Sequence, residues 1–337
     1  MRAVLCRAYG HYRDMTVEDL PPPALTEGGV RISVRATGVS FANLLVAQGK
    51  HQNTPPLPFT PGTEVAGVVT EVADGIDHLR PGDRVAACTP NGGFAEEVVT
   101  RADLAFPIPD AMDFAAATQF PTIYGTDYAC LAWRARMQPG EVLLVHGGAG
   151  ASGLAAIDLG KAMGARVIAT AGGSEKTAAC TAQGADHVID HRSEDIRAAV
   201  LGLTGGRGAD VIFDPVGGEV FEQSLRCIAP EGRIIPMGFA GGSIPQIPAN
   251  ILLVKNITVL GVYWGYYLGW GRQPRTAADA AAVDAAMAQM FDWHTQGRLA
   301  PRTHARFDLA DFAAGLALVE ERKVIGKVVL TAGPADD

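Results

Sequence analysis

The sequence lacks the features that would place the protein in a membrane, in an oxidising compartment or on a nucleic acid. It has no apolar run of about 18 residues, the length that a spanning helix needs, and residues 1–10 do not form the apolar core of a secretory signal. Its net charge is −8 without a cluster of Lys and Arg, which argues against nucleic acid or an anionic membrane as a partner. The five cysteines include no CxxC pair, which argues against a disulfide framework or a cysteine zinc lobe and favours the cytoplasm.

The most informative segment is EVLLVHGGAGASG, residues 141–153. Its apolar run predicts a buried strand, its glycines have GxGxxG spacing, and the residues that follow are typical of a helix. A strand, a tight glycine turn and a helix N-terminus together form a site for the pyrophosphate of a dinucleotide. The predicted contacts in this turn are Gly148, Ala149, Gly150, Ala151, Ser152 and Gly153.

Four further apolar runs follow the glycine turn and alternate with helix-like segments. They are RVIAT (166–170), HVID (187–190), DVIFD (210–214) and RIIPMG (233–238). Such alternation predicts an α/β domain with a doubly wound parallel sheet, the Rossmann fold.

The end of the second strand indicates which dinucleotide is bound. A site that selects NAD places an acidic side chain there for the ribose hydroxyl, whereas this strand ends in Ala-Gly-Gly at residues 171–173. Lys176 follows, and His191 and Arg192 come at the end of the next strand. We therefore expect NADPH rather than NADH, with Gly172, Lys176 and His191 near its 2′-phosphate. If Lys176 points into solvent and His191 packs inward, NADH would bind nearly as well.

The rest of the chain is organised differently. With 337 residues, of which 48% are hydrophobic, the chain is long enough for two domains. Residues 1–118 contain short alternating strands broken by Pro and Gly, which predict a mostly β, partly open barrel. We expect residues 264–337 to return to this substrate domain and residues 119–263 to form the NADPH-binding domain. Cofactor and substrate would then meet in the cleft between the domains.

The whole chain resembles the medium-chain dehydrogenase/reductase superfamily and, within it, the zinc-free NADPH:quinone oxidoreductases of the zeta-crystallin type. The resemblance is carried by five segments in a fixed order: GVSFANLLVAQGKHQ (38–52), PFTPGTEVAGVV (58–69), RPGDRV (80–85), VHGGAGASG (145–153) and GKVVL (326–330). It implies a GroES-like first domain beside the Rossmann domain.

The zinc-dependent alcohol dehydrogenases of the same superfamily need cysteine and histidine ligands around an open metal position. At the corresponding positions this chain has Ser40, Thr63 and Thr118, so we expect no catalytic zinc. Without a Lewis acid, the substrates expected are those that accept electrons readily, such as quinones and enones.

The resemblance also implies catalytic positions. Ser40 and Asn43 would face the nicotinamide and the substrate, where relatives usually have asparagine and aspartate, and Thr122 would lie beside the nicotinamide ring. Asn43 is equally suited to capping the helix that follows it. His51 stands where many relatives have tyrosine and is either a proton donor or a plain loop histidine.

Further cofactor contacts are expected at the carboxyl ends of the later strands, because ligands of open parallel sheets bind there. Arg322 matches a family position that approaches the adenosine phosphate. The expected strand-end contacts are Val216, Gly238, Phe239, Ala240, Tyr263 and Trp264.

Three functions remain open from the sequence. The first is an NADPH:quinone oxidoreductase, the second an NADPH-dependent enone or enoyl-thioester reductase, and the third a non-catalytic NADPH-binding protein. The aromatic run VYWGYYLGWGR (262–272) would line the substrate cleft or a dimer contact. The preceding NITVLGVY (256–263) would be a sheet edge that pairs with a second copy.

Overall fold

The structure, a computed structural model, describes residues 1–333. The strands, in chain order, are β1 (Arg2–Leu5), β2 (Thr16–Asp19), β3 (Gly29–Val39), β4 (Glu64–Val72), β5 (Arg84–Cys88), β6 (Glu97–Arg101), β7 (Ala105–Pro107), β8 (Val142–Val145), β9 (Arg166–Ala171), β10 (His187–Asp190), β11 (Ala209–Asp214), β12 (Ile228–Pro236), β13 (Thr258–Val259), β14 (Thr303–Asp308) and β15 (Lys327–Thr331).

The α-helices are α1 (Phe41–Ala47), α2 (Phe114–Ala117), α3 (Gly125–Tyr128), α4 (Ala151–Ala162), α5 (Ser174–Ala182), α6 (Ile196–Leu203), α7 (Gly218–Cys227), α8 (Ala249–Lys255), α9 (Trp264–Tyr267), α10 (Ala277–Thr295) and α11 (Phe312–Glu320). Two π-helical segments, Phe120–Tyr124 and Ala129–Arg134, flank α3. Within the part of the chain that the structure describes, no helix has both the length and the apolar character required to cross a bilayer.

The chain divides into two compact units. The first unit comprises Met1–Thr122, Gly265–Phe291 and the described residues from Arg302 onward. The second unit comprises Ile123–Trp264 and Asp292–Pro301.

The second unit contains a six-stranded parallel sheet with the order β10-β9-β8-β11-β12-β13. Val211, Ile212 and Phe213 are all fully buried although they are consecutive, because both faces of a central parallel strand are covered. The chain order reverses between β8 and β11, and ligands of open parallel sheets bind in the crevice at such a switch point. This topology confirms the predicted Rossmann-like sheet.

The first unit contains a seven-stranded sheet with the order β14-β15-β3-β4-β5-β7, and β6 also pairs with β3. Every pair is antiparallel except β14 with β15. Val30, Ile32 and Val34 alternate along β3 and are fully buried, as expected of a strand with one face on a core. The mostly β nature of this part is therefore as the sequence predicted.

One predicted element is shorter than expected. The sequence predicts a strand through NITVLGVY, whereas β13 has only two residues and pairs with β12 through Thr258 and Val259. Asn256 has a left-handed backbone and ends α8, so the chain enters β13 from a helix terminus. The strand does lie at the edge of the sheet, as predicted.

Candidate functional site

The glycine turn lies between β8 and α4, beside the switch point of the parallel sheet. Gly150 is the N-cap of α4. A Cβ at Gly153 would lie 2.6 Å from the Cα of Gly148, so only glycine permits this close packing of helix on turn. The first turn of α4 carries no acidic residue, which leaves its backbone N–H groups as an anion-binding terminus.

The turn after β11 is held by a buried carboxyl that the sequence analysis did not single out. Oδ1 of Asp214 accepts hydrogen bonds from the N–H groups of Val216 (2.8 Å) and Gly217 (2.9 Å). Burial raises the pKa of Asp214. An Asp that begins a turn and bonds the backbone two and three residues later is a common turn signal, and DVIFDPVG carried that signal.

The loop that follows β12 packs on this turn. The N–H of Ala240 donates to the carbonyl of Pro215 (3.0 Å), and a Cβ at Gly217 would lie 3.1 Å from the ring of Phe239. Phe239 is 44% exposed. The structure thus brings Val216, Phe239 and Ala240 together, as expected for neighbouring strand ends.

Two basic side chains lie over the glycines that end β9. A Cβ at Gly172 would be 2.9 Å from Nε2 of His191 and 3.0 Å from Nε of Arg192, and a Cβ at Gly173 would be 3.0 Å from Nη1 of Arg192. Lys176 is half-buried in the first turn of α5. Arg192, which the sequence analysis noted only in passing, therefore lies over both glycines of this turn.

A carboxylate also reaches this turn, from the end of β10, where the sequence analysis did not look for an acidic side chain. Oδ1 of Asp190, the last residue of β10, accepts hydrogen bonds from the N–H groups of Gly173 and Arg192, both at 3.0 Å. These two bonds lower the pKa of Asp190. The search for an acid at the end of β9 alone missed it, because only the sheet order places β10 beside β9.

Three other predicted cofactor residues lie outside the turns that follow β8, β9, β11 and β12. Trp264 is 5% exposed and its ring packs on Trp133 with 5.9 Å between centroids, which leaves little of it to contact a ligand. Tyr263 is 38% exposed. Arg322 belongs to the first unit and lies in the turn after α11 with a φ of 56°. Their roles stay predictions.

Ser40 and Asn43 are joined at the start of α1. Ser40 is the N-cap of α1. Oδ1 of Asn43 accepts hydrogen bonds from the backbone N–H of Ser40 (2.7 Å) and from the Ser40 hydroxyl (3.0 Å). Asn43 is buried and does take part in capping, one of the two readings of this residue. Its amide NH2 has no hydrogen-bond partner among residues 1–333, so it retains donor capacity.

Thr122 and His51 complete the predicted catalytic set. Oγ1 of Thr122 lies 3.8 Å from Sγ of Cys88, a fully buried thiol whose pKa is raised to about 12 by burial. Nδ1 of His51 accepts from the N–H of Asn53 (3.1 Å). The neutral imidazole therefore carries its proton on Nε2, where it can act as a donor.

A buried ion pair spans the end of β3, two residues before Ser40. Nζ of Lys327 donates to Oε1 of Glu64, and both side chains are at most 3% exposed. A Cβ at Gly38 would overlap both of them, so this glycine makes room for the pair. Lys327 is consequently paired with Glu64 inside the first unit.

The three positions that correspond to zinc ligands hold alcohols. Thr118 is fully buried and its hydroxyl donates to the carbonyl of Ala115 (2.9 Å), and the carbonyl of Thr63 accepts from the N–H of Thr89. Among the residues described, no group of three or more His, Cys, Asp or Glu side chains is arranged to hold a metal ion.

Comparisons with known proteins agree on one family. Residues 26–110 match the alcohol dehydrogenase GroES-like domain, and residues 151–282 match the zinc-binding dehydrogenase domain. The chain is 40% identical to a quinone oxidoreductase-like protein 2 homolog of Nematostella vectensis, over 98% of this chain and 88% of that protein.

Two solved structures are similar over their whole length. A mycobacterial protein complexed with NADPH has a TM-score of 0.89 and 27% identity, covering 98% of this chain and 100% of that one. Quinone oxidoreductase of Escherichia coli complexed with NADPH has a TM-score of 0.87 and 26% identity, with the same two coverages.

The chain belongs to the medium-chain dehydrogenase/reductase superfamily, and within it to the zinc-free quinone oxidoreductase type. It is therefore an oxidoreductase, and the family predicted from its sequence is confirmed.

Proposed function

We propose that the protein is an NADPH-dependent, zinc-independent quinone oxidoreductase. The observation that carries the proposal is the glycine turn at the switch point of the parallel sheet, which leads into a helix N-terminus without an acidic residue. Similarity to two proteins solved with NADPH supports the choice of cofactor. Gly150 is exposed, and a Cβ there would meet only the carbonyl oxygen of Gly147, at 3.4 Å, so the backbone at this glycine is open to the close approach of a pyrophosphate.

The chain's own residues divide the binding of NADPH between them. The first turn of α4 and residues Gly148 to Gly153 hold the pyrophosphate, and Val216, Gly238 and Phe239 flank the dinucleotide at the next strand ends. Arg192, with His191 and Lys176, holds the 2′-phosphate over the turn at Gly172. Guanidinium groups suit this task because their N–H donors match phosphate oxygens. When bound, NADPH supplies the hydride.

On the substrate side, the proposal assigns positioning and hydrogen bonding rather than acid–base catalysis. The free amide NH2 of Asn43 donates to a substrate oxygen, while its Oδ1 is fixed by Ser40. The hydroxyl of Thr122 orients the nicotinamide. A quinone that accepts a hydride needs one further proton to become the hydroquinone, and water supplies it, so this set is sufficient for a quinone.

A reductase of enones or enoyl-thioesters is the second candidate, and one observation favours it. Hydride addition to an enone leaves an enolate that needs a proton. His51 carries a proton on Nε2 in its neutral form, since Nδ1 accepts from Asn53. His51 is half-buried, which leaves its ring accessible to a ligand.

The test is the oxidation of NADPH and of NADH in the presence of a metal chelator, against ortho-quinones, para-quinones and α,β-unsaturated ketones. NADPH-selective turnover of quinones is expected, and His51→Ala should leave it unchanged. Turnover confined to enones and lost in His51→Ala would instead support the second candidate. NADPH binding without turnover of any acceptor would leave the binding-only function, and sensitivity to the chelator would refute the zinc-independent proposal.

We further propose that the protein acts in the cytoplasm as a homodimer joined at the β13 edge of the sheet. The exposed apolar side chains Leu253 (77%) and Val254 (73%), in the helix that leads into β13, support this contact. Five buried cysteines without disulfides suit a reducing cytoplasm. Sedimentation of the wild type and of Leu253→Asp tests the dimer: the wild type should sediment as a dimer and the variant as a monomer.

A further inference from the structure

Asp127 is a buried carboxyl in α3 that no step of the proposed reaction uses. Its side chain is fully buried. Oδ1 accepts one hydrogen bond, from the hydroxyl of Ser152 at 2.9 Å, and Oδ2 is buried with no hydrogen-bond partner among the described residues. A buried polar atom without a partner is costly and requires a physical reason.

Among the residues that the structure describes, no cationic side chain compensates a negative charge on Asp127. Burial raises the pKa of Asp127 well above its ordinary value, and within residues 1–333 only the Ser152 hydroxyl lowers it. The titratable groups that face it are Tyr124 and Cys130, and burial raises the pKa of both. The charge of Asp158 raises the pKa of Tyr124 further, and the charge of Asp127 raises that of Cys130. Tyrosine and cysteine are neutral when protonated, so the pocket around Asp127 favours the uncharged acid.

Asp158, another buried carboxyl of the second unit, is compensated for its burial by several hydrogen-bond donors. Asp158 accepts from the hydroxyl of Tyr124 (2.6 Å), the amide of Gln183 (2.7 Å) and the N–H of Ala300 (2.7 Å). Even so, burial raises its pKa to about 6. Asp127 has one such donor where Asp158 has three, so it is the less easily ionised of the two.

The position of Asp127 connects its charge to the cofactor site. Ser152 is the second residue of α4, and its N–H is one of those that the helix terminus presents to an anion. The bond from Ser152 to Asp127 therefore ties the first turn of α4 to α3. A negative charge on Asp127 would lie directly behind the pyrophosphate site and would oppose the anion that the helix terminus attracts.

We propose that Asp127 is a positioning residue of the cofactor site: its uncharged carboxyl fixes Ser152 at the start of α4, and its ionisation weakens the binding of the dinucleotide pyrophosphate. This inference rests on the proposed function, because it takes NADPH as the ligand. It makes NADPH binding proton-linked, so that the protein takes up a proton on binding wherever free Asp127 is ionised.

The experiment measures the Kd of NADPH by fluorescence titration from about pH 6 to about pH 9, for the wild type, Asp127→Asn and Ser152→Ala. In the wild type, the Kd should rise with pH by up to about tenfold per pH unit once Asp127 ionises. Asp127→Asn keeps an oxygen that can accept the hydrogen bond from Ser152 but cannot ionise. The Kd of this variant should therefore lack the rise with pH that the wild type shows. Calorimetry in two buffers of different ionisation enthalpy should detect proton uptake in the wild type and none in Asp127→Asn.

Ser152→Ala provides a second measurement that leaves Asp127 in place. Removal of the one hydroxyl that favours the ionised form should shift the rise in Kd to higher pH. The same pH dependence in all three proteins, or a pH-independent Kd in the wild type, would overturn the role of Asp127 and leave the proposed function standing. Failure of the wild type to bind NADPH at every pH would refute the proposed function and this inference with it.

Discussion

Replacement of Arg192 tests the assignment of the 2′-phosphate site most directly. Its guanidinium lies over Gly172 and Gly173, where a Cβ would come within 3.0 Å of its nitrogens. The side chain is exposed, so its contact with a phosphate is partly screened by water and should contribute about 1.5 kcal/mol, the lower end for a charge-assisted hydrogen bond. Arg192→Ala should therefore raise the Kd of NADPH by about tenfold.

The comparison with NADH makes this prediction specific. NADH lacks the 2′-phosphate, so its Kd should be the same in the wild type and in Arg192→Ala. Arg226→Ala is the matched control, because Arg226 is an exposed arginine in the last turn of α7, at the opposite edge of the sheet from the strand carboxyl ends. Lys176→Ala should weaken NADPH binding as well. An unchanged ratio of the two dissociation constants in Arg192→Ala would refute the proposed phosphate site.

Three further substitutions test the parts of the fold that carry the site. Gly153→Ala places a Cβ 2.6 Å from a backbone atom of the glycine turn and should raise the Kd of NADPH by more than about tenfold; Gly202→Ala, which meets nothing within 4 Å in α6, should instead stabilise the protein by about 0.5 kcal/mol against urea. Glu64→Gln leaves Lys327 buried without its counter-charge and should destabilise by about 3 to 5 kcal/mol in urea unfolding; a further loss on adding Lys327→Met, rather than a partial recovery, would contradict this. Burial lowers the pKa of His146 to about 3, below that of an unfolded histidine. The contribution of neutral His146 to stability is therefore complete above about pH 6.5 and is lost at roughly 1.4 kcal/mol per pH unit as the pH falls toward 3. In urea unfolding, the stability of His146→Gln should fall less steeply with decreasing pH than that of the wild type.

The sequence was sufficient for the elements whose signals are local. The apolar runs that predicted β9, β10 and β11 lie within those strands, because burial on both faces of a parallel sheet demands apolar residues in sequence. The glycine turn could also be predicted, since the spacing of its glycines reflects contacts within one strand-turn-helix unit. The length of β13 could not be predicted from the sequence, because how far an edge strand extends depends on its neighbour β12.

The site was predictable only where the partners are close in the chain. Asn43 was expected either to cap α1 or to donate to a substrate, and the structure has its Oδ1 in the cap and its NH2 without a partner in the described residues. The positions of Asp190 and Arg192 relative to Gly172 could not be predicted from the sequence, because they depend on the pairing of β10 with β9. The pairing of Asp127 with Ser152, 25 residues apart in sequence, had no pattern from which it could be predicted.

By itself, the sequence determined the family, the Rossmann-like sheet and the position of the glycine turn, because each is written in short apolar and glycine patterns that one segment carries alone. The tertiary structure decided which charges meet: Lys327 with Glu64 across 263 residues of chain, and Arg192 over the turn at Gly172. It also decided which carboxyls are left with an unpaired oxygen, as in Asp127 and Asp214. These facts depend on contacts between distant segments and on burial, which sets the cost of a charge, and neither quantity is a property of any single stretch of sequence.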